Sequence, residues 1–469
     1  MAEVEGFLDE VRAADSLAIT STDSVVLKDL LEGPRELWRW ENGRGGSLLA
    51  LNARTTGDAN LPDTMAGSDA RWKGNLGGTA YGSFGGEIWF SSDARIFTEW
   101  NTDYSYQDRY VLGDAEPSGV PFDDPSENGR YKTRTGARYT AWAQWSRDWI
   151  SLKWGRDRVR FGPGKWTGLT TRLESPPYNL VDTRLEPFRW LSIQATVLEA
   201  RPGELELAFP GDQRKWAHVH RFELRPVRGL ELAFQNQVLY RDSGGVQPTY
   251  LLPLVPIFFS QDLAGNRDNS AMQFDARFDR VQGASLWGAV LLDDLNSLTD
   301  ILGSHWLNRW AVLAGGQLLS PWRGFDADVA VEWSMVRPWT YTGGREESYT
   351  FAHYGLPMGS ELGPDSRTLR ARLAWRPRPG WEPRLEGFVL EKGEGPQATI
   401  GWVRRGMPGN DAMLFGGGWT GRSGGTLGVR WEPWRDVSID LSGSLVAQDD
   451  GYGRESLRSI AGLGWEADW

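Results

Sequence analysis

The most chemically pointed stretch of the chain is a run of cations interleaved with aromatics. It reads Gly155-Arg156-Asp157-Arg158-Val159-Arg160-Phe161-Gly162-Pro163-Gly164-Lys165-Trp166-Thr167-Gly168-Leu169, with Arg172 a few residues on. At a period of two, Arg156, Arg158 and Arg160 would share one face, where guanidinium forks hold carboxylates while the Trp166 indole stacks on a sugar ring. Those residue types suit an acidic glycan. The same cations could instead pair with carboxylates of their own chain, such as Asp275, Asp326 and Asp328, and simply fill an interior. Gly164-Lys165 is not a phosphate loop, because Trp166 stands where Ser or Thr is needed and the upstream glycine spacing fails. The Gly-Pro-Gly is read as a tight inward bend of the backbone.

Other candidate groups are sparser. Trp287, Trp306 and Trp339 fall near expected long loops or strand ends and are further candidates for stacking on sugars, whereas Trp322 and Trp434, in short turns, suit an interfacial girdle. His218 and His220 share a strand face, but no third ligand is evident. Their neighbours Trp216 and Phe222 favour an interface stripe over a metal site. Asp293-Asp294 and Asp449-Asp450 could bind calcium or act as glycosidase acids, yet adjacent strand residues point opposite ways, so neither pair forms a catalytic couple. No Ser/His/Asp arrangement is recognisable. The reading is therefore non-enzymatic, with no metal and no cofactor.

These groups need elements to position them, and the periodicity is that of strands. Met272, Phe274, Ala276 and Phe278 alternate with Gln273, Asp275, Arg277 and Asp279. Phe325 to Trp333 and Leu369 to Trp375 repeat the pattern, with one face apolar and the other ionic. Alternation alone means an antiparallel sheet, so turn spacing has to decide the architecture. Pro226-Val227-Arg228-Gly229, Pro321-Trp322-Arg323-Gly324, Pro377-Arg378-Pro379-Gly380 and Pro433-Trp434-Arg435-Asp436 share one turn chemistry, and Gln282-Gly283 adds a fifth. Each interval holds two strands of membrane length and one long loop. Short turns at one end and long loops at the other are the signature of a closed outer-membrane barrel.

The last strand, ending on Trp465, Ala467 and Trp469, resembles the closing strand that bacterial outer-membrane assembly machinery recognises. Eighteen strands are expected, within about two, starting near 47, 79, 94, 138, 149, 190, 203, 216, 229, 271, 285, 309, 325, 367, 381, 423, 436 and 457. Residues 397–420 could hold two more. The apolar run Tyr250-Leu251-Leu252-Pro253-Leu254-Val255-Pro256-Ile257-Phe258-Phe259 is too apolar to hang in water, so the loop at 240–270 is expected to fold inward as a plug. Before the barrel, Phe7, Leu8 and Val11, then Leu27, Leu30 and Leu31, fall at helical spacings. The expected organisation is a periplasmic helical segment at 1–46 and a transmembrane antiparallel β-barrel at 47–469.

Composition agrees with this class and excludes others. No apolar run is long enough for a transmembrane helix. Cysteine is absent and the net charge is -11, which argues against disulfide scaffolds, thiolate chemistry and nucleic-acid binding. The first residues, Met1-Ala2-Glu3-Val4-Glu5-Gly6, lack a signal peptide, so the chain is read as a mature sequence with an added initiator Met.

Three stretches go beyond barrel grammar. The Gly-Arg and Gly-Pro-Gly run with Ser175-Pro176-Pro177, the Asn266-Arg267-Asp268-Asn269-Ser270 strand entry, and Leu291-Leu292-Asp293-Asp294 together resemble the Wzi-type capsule-assembly outer-membrane proteins. The chain departs from that pattern at Thr170-Thr171-Arg172-Leu173-Glu174-Ser175, where a serine-asparagine run is common. The resemblance implies an eighteen-stranded outer-membrane lectin that anchors or assembles capsular polysaccharide. Its implied surroundings are an acidic surface polysaccharide, outer-membrane lipid with lipopolysaccharide, and capsule-export machinery. The rival reading is a porin or transporter for sugars or small anions.

Overall fold

The computed structural model describes residues 37–42, 47–62, 71–100, 120–121, 133–173, 175–201, 215–241, 245–251, 268–294, 301–322, 325–343, 350–354, 356–398, 413–434, 436–449 and 455–468. Eighteen antiparallel strands form a closed ring. Ser47–Pro62 pairs with Arg71–Phe84 on one flank and with the last strand, Glu455–Asp468, on the other, so the sheet has no free long edge. Leu463, Trp465 and Ala467 of the last strand lie opposite Ala59, Gly57 and Thr55.

Side-chain alternation sets inside from outside. Phe274 is 49% exposed while its neighbour Asp275 is 7% exposed, and Leu232 at 40% flanks buried Ala233. Outward residues are apolar because they meet acyl chains, and inward ones are polar because they meet one another, water or folded-in loops. The short turns gather at one end. Gly229 and Gly380 both adopt φ of 75° and Asp436 adopts 63°, the left-handed geometry that their turn chemistry required. Around that end Phe188, Trp190, Trp322, Phe325 and Trp434 are exposed, an aromatic girdle in which Phe188 stacks on Trp190 at 5.3 Å.

Two expectations differ from the structure. The strand expected near 190 is Leu191–Ala200, the one expected near 203 falls outside the described residues, and an unexpected strand, Tyr178–Phe188, precedes them. Tyr178 and Leu180 point inward yet are apolar and buried, because they pack against a loop inside the barrel, and this erases the alternation that would have revealed their strand. Trp38–Asn42, expected within the helical segment, forms a short strand on Ser47 to Leu51. It occupies the flank of Ser47–Pro62 that the last strand leaves bare. The expected helical positions from Phe7 to Leu31 lie outside the described residues, as do 399–412 of the stretch considered for two extra strands.

Candidate functional site: a plugged lumen with a basic loop

The chain leaves strand Ile150–Asp157 and turns into the lumen. Residues 158–177 descend between the walls before strand Tyr178–Phe188 begins. Glycine makes the descent sterically feasible. Gly162 adopts φ of 90°, and a Cβ on Gly164 or Gly168 would sit 1.9 Å from the carbonyl oxygen of Thr167 or Thr171 respectively. The inward bend expected of Gly-Pro-Gly is therefore what these glycines provide.

One carboxylate holds the tip of the loop. Glu332, inward on strand Ala327–Val336, accepts the backbone N–H groups of Lys165 at 2.5 Å, Trp166 at 3.0 Å and Thr167 at 2.7 Å. Trp287 Nε1 donates to the same carboxylate at 2.9 Å. Four donors on one buried acid satisfy both the anion and a turn that no strand could pair. Higher up, Thr170 donates to Gln273 and accepts from Gln235, both at 2.7 Å. Phe161 and Leu169 join wall residues such as Val219, Leu239 and Leu313 in one apolar cluster.

A further inward segment, within residues 337–365, packs on the first. The Tyr341 hydroxyl donates to Leu169 O at 2.9 Å, and its backbone N–H donates to Asp293 at 2.8 Å. The Arg172 N–H donates to Met358 O. Lys215, inward from the wall, donates to the carbonyls of Thr350 at 2.9 Å and Ala352 at 3.2 Å. His353 stacks on Tyr178 at 4.1 Å and accepts the Arg201 N–H at Nδ1, 2.9 Å away. Burial pushes the His353 imidazole well below its ordinary value, with the cations Arg156, Lys215 and Arg201 adding to the effect.

The basic motif is thus divided. Arg158 and Arg160 are exposed; the first donates to Ser175 O at 3.2 Å and the other to Gly164 O. Lys165 is half-buried and donates to Gln317 at 2.8 Å, with its ammonium 5.6 Å from the Trp166 ring centroid. Burial, and then the nearby Arg372 guanidinium, lower the Lys165 pKa. Arg172 is only 1% exposed. Arg156 stands apart on the outward alternation with Trp154, bonded to Asn179 at 3.4 Å and stacked over Tyr139. Of the tryptophans, Trp287 and Trp339 are buried at 8% and 4% exposure, one beneath the loop tip and one in the 337–365 segment. Trp306 is partly exposed under the Arg309 guanidinium at 4.7 Å.

Two expectations about partners are corrected. The three named lumen acids have partners outside the basic motif: Asp275 takes Arg221 in a bidentate pair at 2.6 and 2.9 Å, and Asp326 and Asp328 take Arg376. The described part of the loop at 240–270 does not enter the lumen as expected of a plug. Its described residues 245–251 lie outside the barrel, where Tyr250 packs on Val238, Tyr240 and Trp216. These three residues alternate with the inward Gln237, Leu239 and Ala217. Residues 252–267, which hold most of the apolar run, lie outside the described residues. Glu332 was missed in the sequence because it sits as one more inward acid in an alternating strand, with no local mark of the loop that reaches it.

Fold and site together define an outer-membrane β-barrel whose lumen is occupied along one wall by its own loops. Among solved structures the chain is similar to Wzi of Escherichia coli, described as an outer-membrane protein involved in group 1 capsule assembly and a carbohydrate-binding β-barrel. The identity is 14% and the TM-score 0.52, over 88% of this chain and 83% of that one. It also matches two Pseudomonas aeruginosa structures, OpdK with vanillate (10% identity, TM-score 0.49, 90% and 99% covered) and OccD3, also called OpdP (12%, 0.48, 90% and 91%). No protein-family model matches the chain, and no curated protein matches it in sequence. The likeness to Wzi shows the fold, and the closed barrel with its apolar outer face and aromatic girdle supports an outer-membrane location.

Proposed function

We propose that this barrel is a non-enzymatic surface lectin that binds an acidic capsular polysaccharide and helps assemble or anchor it. The observation that carries the reading is the basic loop wedged into the lumen. It occupies volume that free conduction would need, while Arg158 and Arg160 stay exposed beside the partly exposed Lys165 and Trp166. Cations with an adjacent indole suit carboxylated sugars. Single exposed contacts contribute about 0 to 1 kcal/mol, so several have to act together. Converting Arg158, Arg160 and Lys165 to Gln should release polysaccharide into the medium, more so at high ionic strength. Unchanged retention by a folded triple variant would place the glycan site elsewhere. A barrel that no longer forms its heat-modifiable band would mean that these cations serve the fold.

An alternative reading, passage of small anions or sugars, is favoured by the opposite wall. There Arg384 and Asp440 keep side-chain exposures of 21% and 29%, and no described loop covers them. Single-channel conductance of the purified barrel separates the two readings: steady large currents would favour passage.

A further inference from the structure

Residues 245–251 are fastened to the outer wall by two histidines that share one acceptor. His218 Nδ1 and His220 Nε2 lie 3.2 and 2.9 Å from the carbonyl oxygen of Tyr250. A carbonyl can only accept, so each of those nitrogens carries a proton. His218 Nε2 is then the bare nitrogen of a neutral ring, and the Tyr240 hydroxyl 2.9 Å away donates to it. The same hydroxyl accepts the Gln247 N–H at 2.7 Å. The chain of bonds fits together with His218 uncharged.

His218 and His220 belong to the outward alternation, with Phe222 and with Leu224, which is 42% exposed. Lys215 and Arg221 of the same strand point the other way, into the plug and to Asp275. Asn236, opposite His220 on the neighbouring strand, is fully buried on this face with neither amide atom hydrogen-bonded, so the seat is imperfect as built.

We propose that His218 and His220 form an acid-releasable latch: neutral, they hold residues 245–251 against the barrel's outer wall, and protonated, they let the segment go. A proton on His218 turns Nε2 into an additional donor aimed at a hydroxyl that had been donating to it. With both rings charged, two cations converge on one carbonyl buried beneath the segment, where uncompensated charge is costly. Both rings lie within the first six residues of Lys215–Val227, at its long-loop end, so lifting the segment opens them to water. The ionisable groups facing the latch are Tyr240 on the neighbouring strand, Tyr250 in the segment, and Asp268, which receives the Tyr250 hydroxyl. Beyond Trp216 stands Glu199, engaged by Asn179 at 2.7 Å and Arg201 at 3.3 Å. Once released, the rings take up protons in histidine's ordinary range, so the released form binds more protons and the latch weakens as pH falls through that range.

The natural chain has no cysteine, so V246C supplies a single thiol for a nitroxide label next to the latch. In full-length protein reconstituted in lipid vesicles, the label should be immobilised near about pH 7.5, and its mobile fraction should rise roughly tenfold by about pH 4.5. In H218Q/H220Q the glutamine amides still donate to the carbonyl but do not titrate, so that rise should vanish. An unchanged wild-type spectrum across the range overturns the proposal, and so does an equal rise in the folded double variant. If the double variant fails to fold, H220Q alone carries the comparison. Its rise should be clearly weaker than the wild type's, and an equal one counts against the latch.

Discussion

The strands between Ile150 and Val336 and those from Ser366 round to Arg147 obey the same alternation, but their inner faces meet different surroundings. The former strands enclose two folded-in segments, and their inward ion pair Arg221–Asp275 has side-chain exposures of 5% and 2%. Among the latter, no described loop covers the inward pair Arg384–Asp440, which with a similar bond of 2.7 Å keeps 21% and 29%. Geometry alone does not set what a charge pair contributes. Removing one member of the buried pair strands an ion where little water reaches it, whereas the wet pair exchanges its partner for solvent. The covered half needs each acid for a specific donor, as Glu332 shows. In the open half Arg372 and Arg384 share Glu386, both at longer range.

The contrast can be broken most sharply at Glu332. Replacing it with Ala removes the acceptor of three backbone N–H groups and one indole, at about 1.5 to 3 kcal/mol for each bond to a charged group and less than their sum together. The loop tip should unseat on the order of 5 kcal/mol more easily. Single-channel recordings of the folded E332A barrel should show large currents absent from the wild type. Equal conductance would mean that the loop does not obstruct the lumen.

Next in size is the paired test of the two ion pairs. D275A should cost about 3 to 5 kcal/mol of unfolding free energy, and D440A about 0 to 1 kcal/mol, both read as shifts in denaturant midpoint of the heat-modifiable band. Similar losses at the two sites would mean that the covered half is as wet as the open one.

The smallest expected effect is the pH response of the inward segment within residues 337–365. His353 stays neutral in the folded protein because burial lowers its pKa, but it takes up a proton around the ordinary value of 6.5 once released. The released form therefore binds more protons, and the seat is stable above pH 6.5 and weakens as pH falls below it. The slope is at most about 1.4 kcal/mol per pH unit. H353Q, whose amide oxygen can still accept the Arg201 N–H, should melt with a shallower dependence on pH. An unaltered slope would assign the acid sensitivity to other groups, such as the outer-wall histidines.

What the sequence by itself determined follows from local rules. Alternation over Met272–Phe278 separates the lipid face from the lumen face. Pro-x-x-Gly and Pro-Trp-Arg-Asp mark the short-turn end, and exclusion of free sheet edges from a bilayer closes the ring at eighteen strands. Each of those depends on neighbours in sequence or on the solvent. The content of the lumen does not. Which loop turns inward depended on whether a wall offered matching donors and acceptors. The 158–177 loop found Glu332, Gln273 and Gln235 on strands more than sixty residues away. The described part of the 240–270 loop, apolar enough to suggest a plug, found its partners outside, where His218, His220 and Tyr240 face away from the core. A strand's alternation says which residues share a face, but the chain's own loops decide whether that face meets water, lipid or protein. Only the tertiary structure brings those loops and walls together, and with them it decides which arginines of the basic motif stay exposed and which are spent holding the plug.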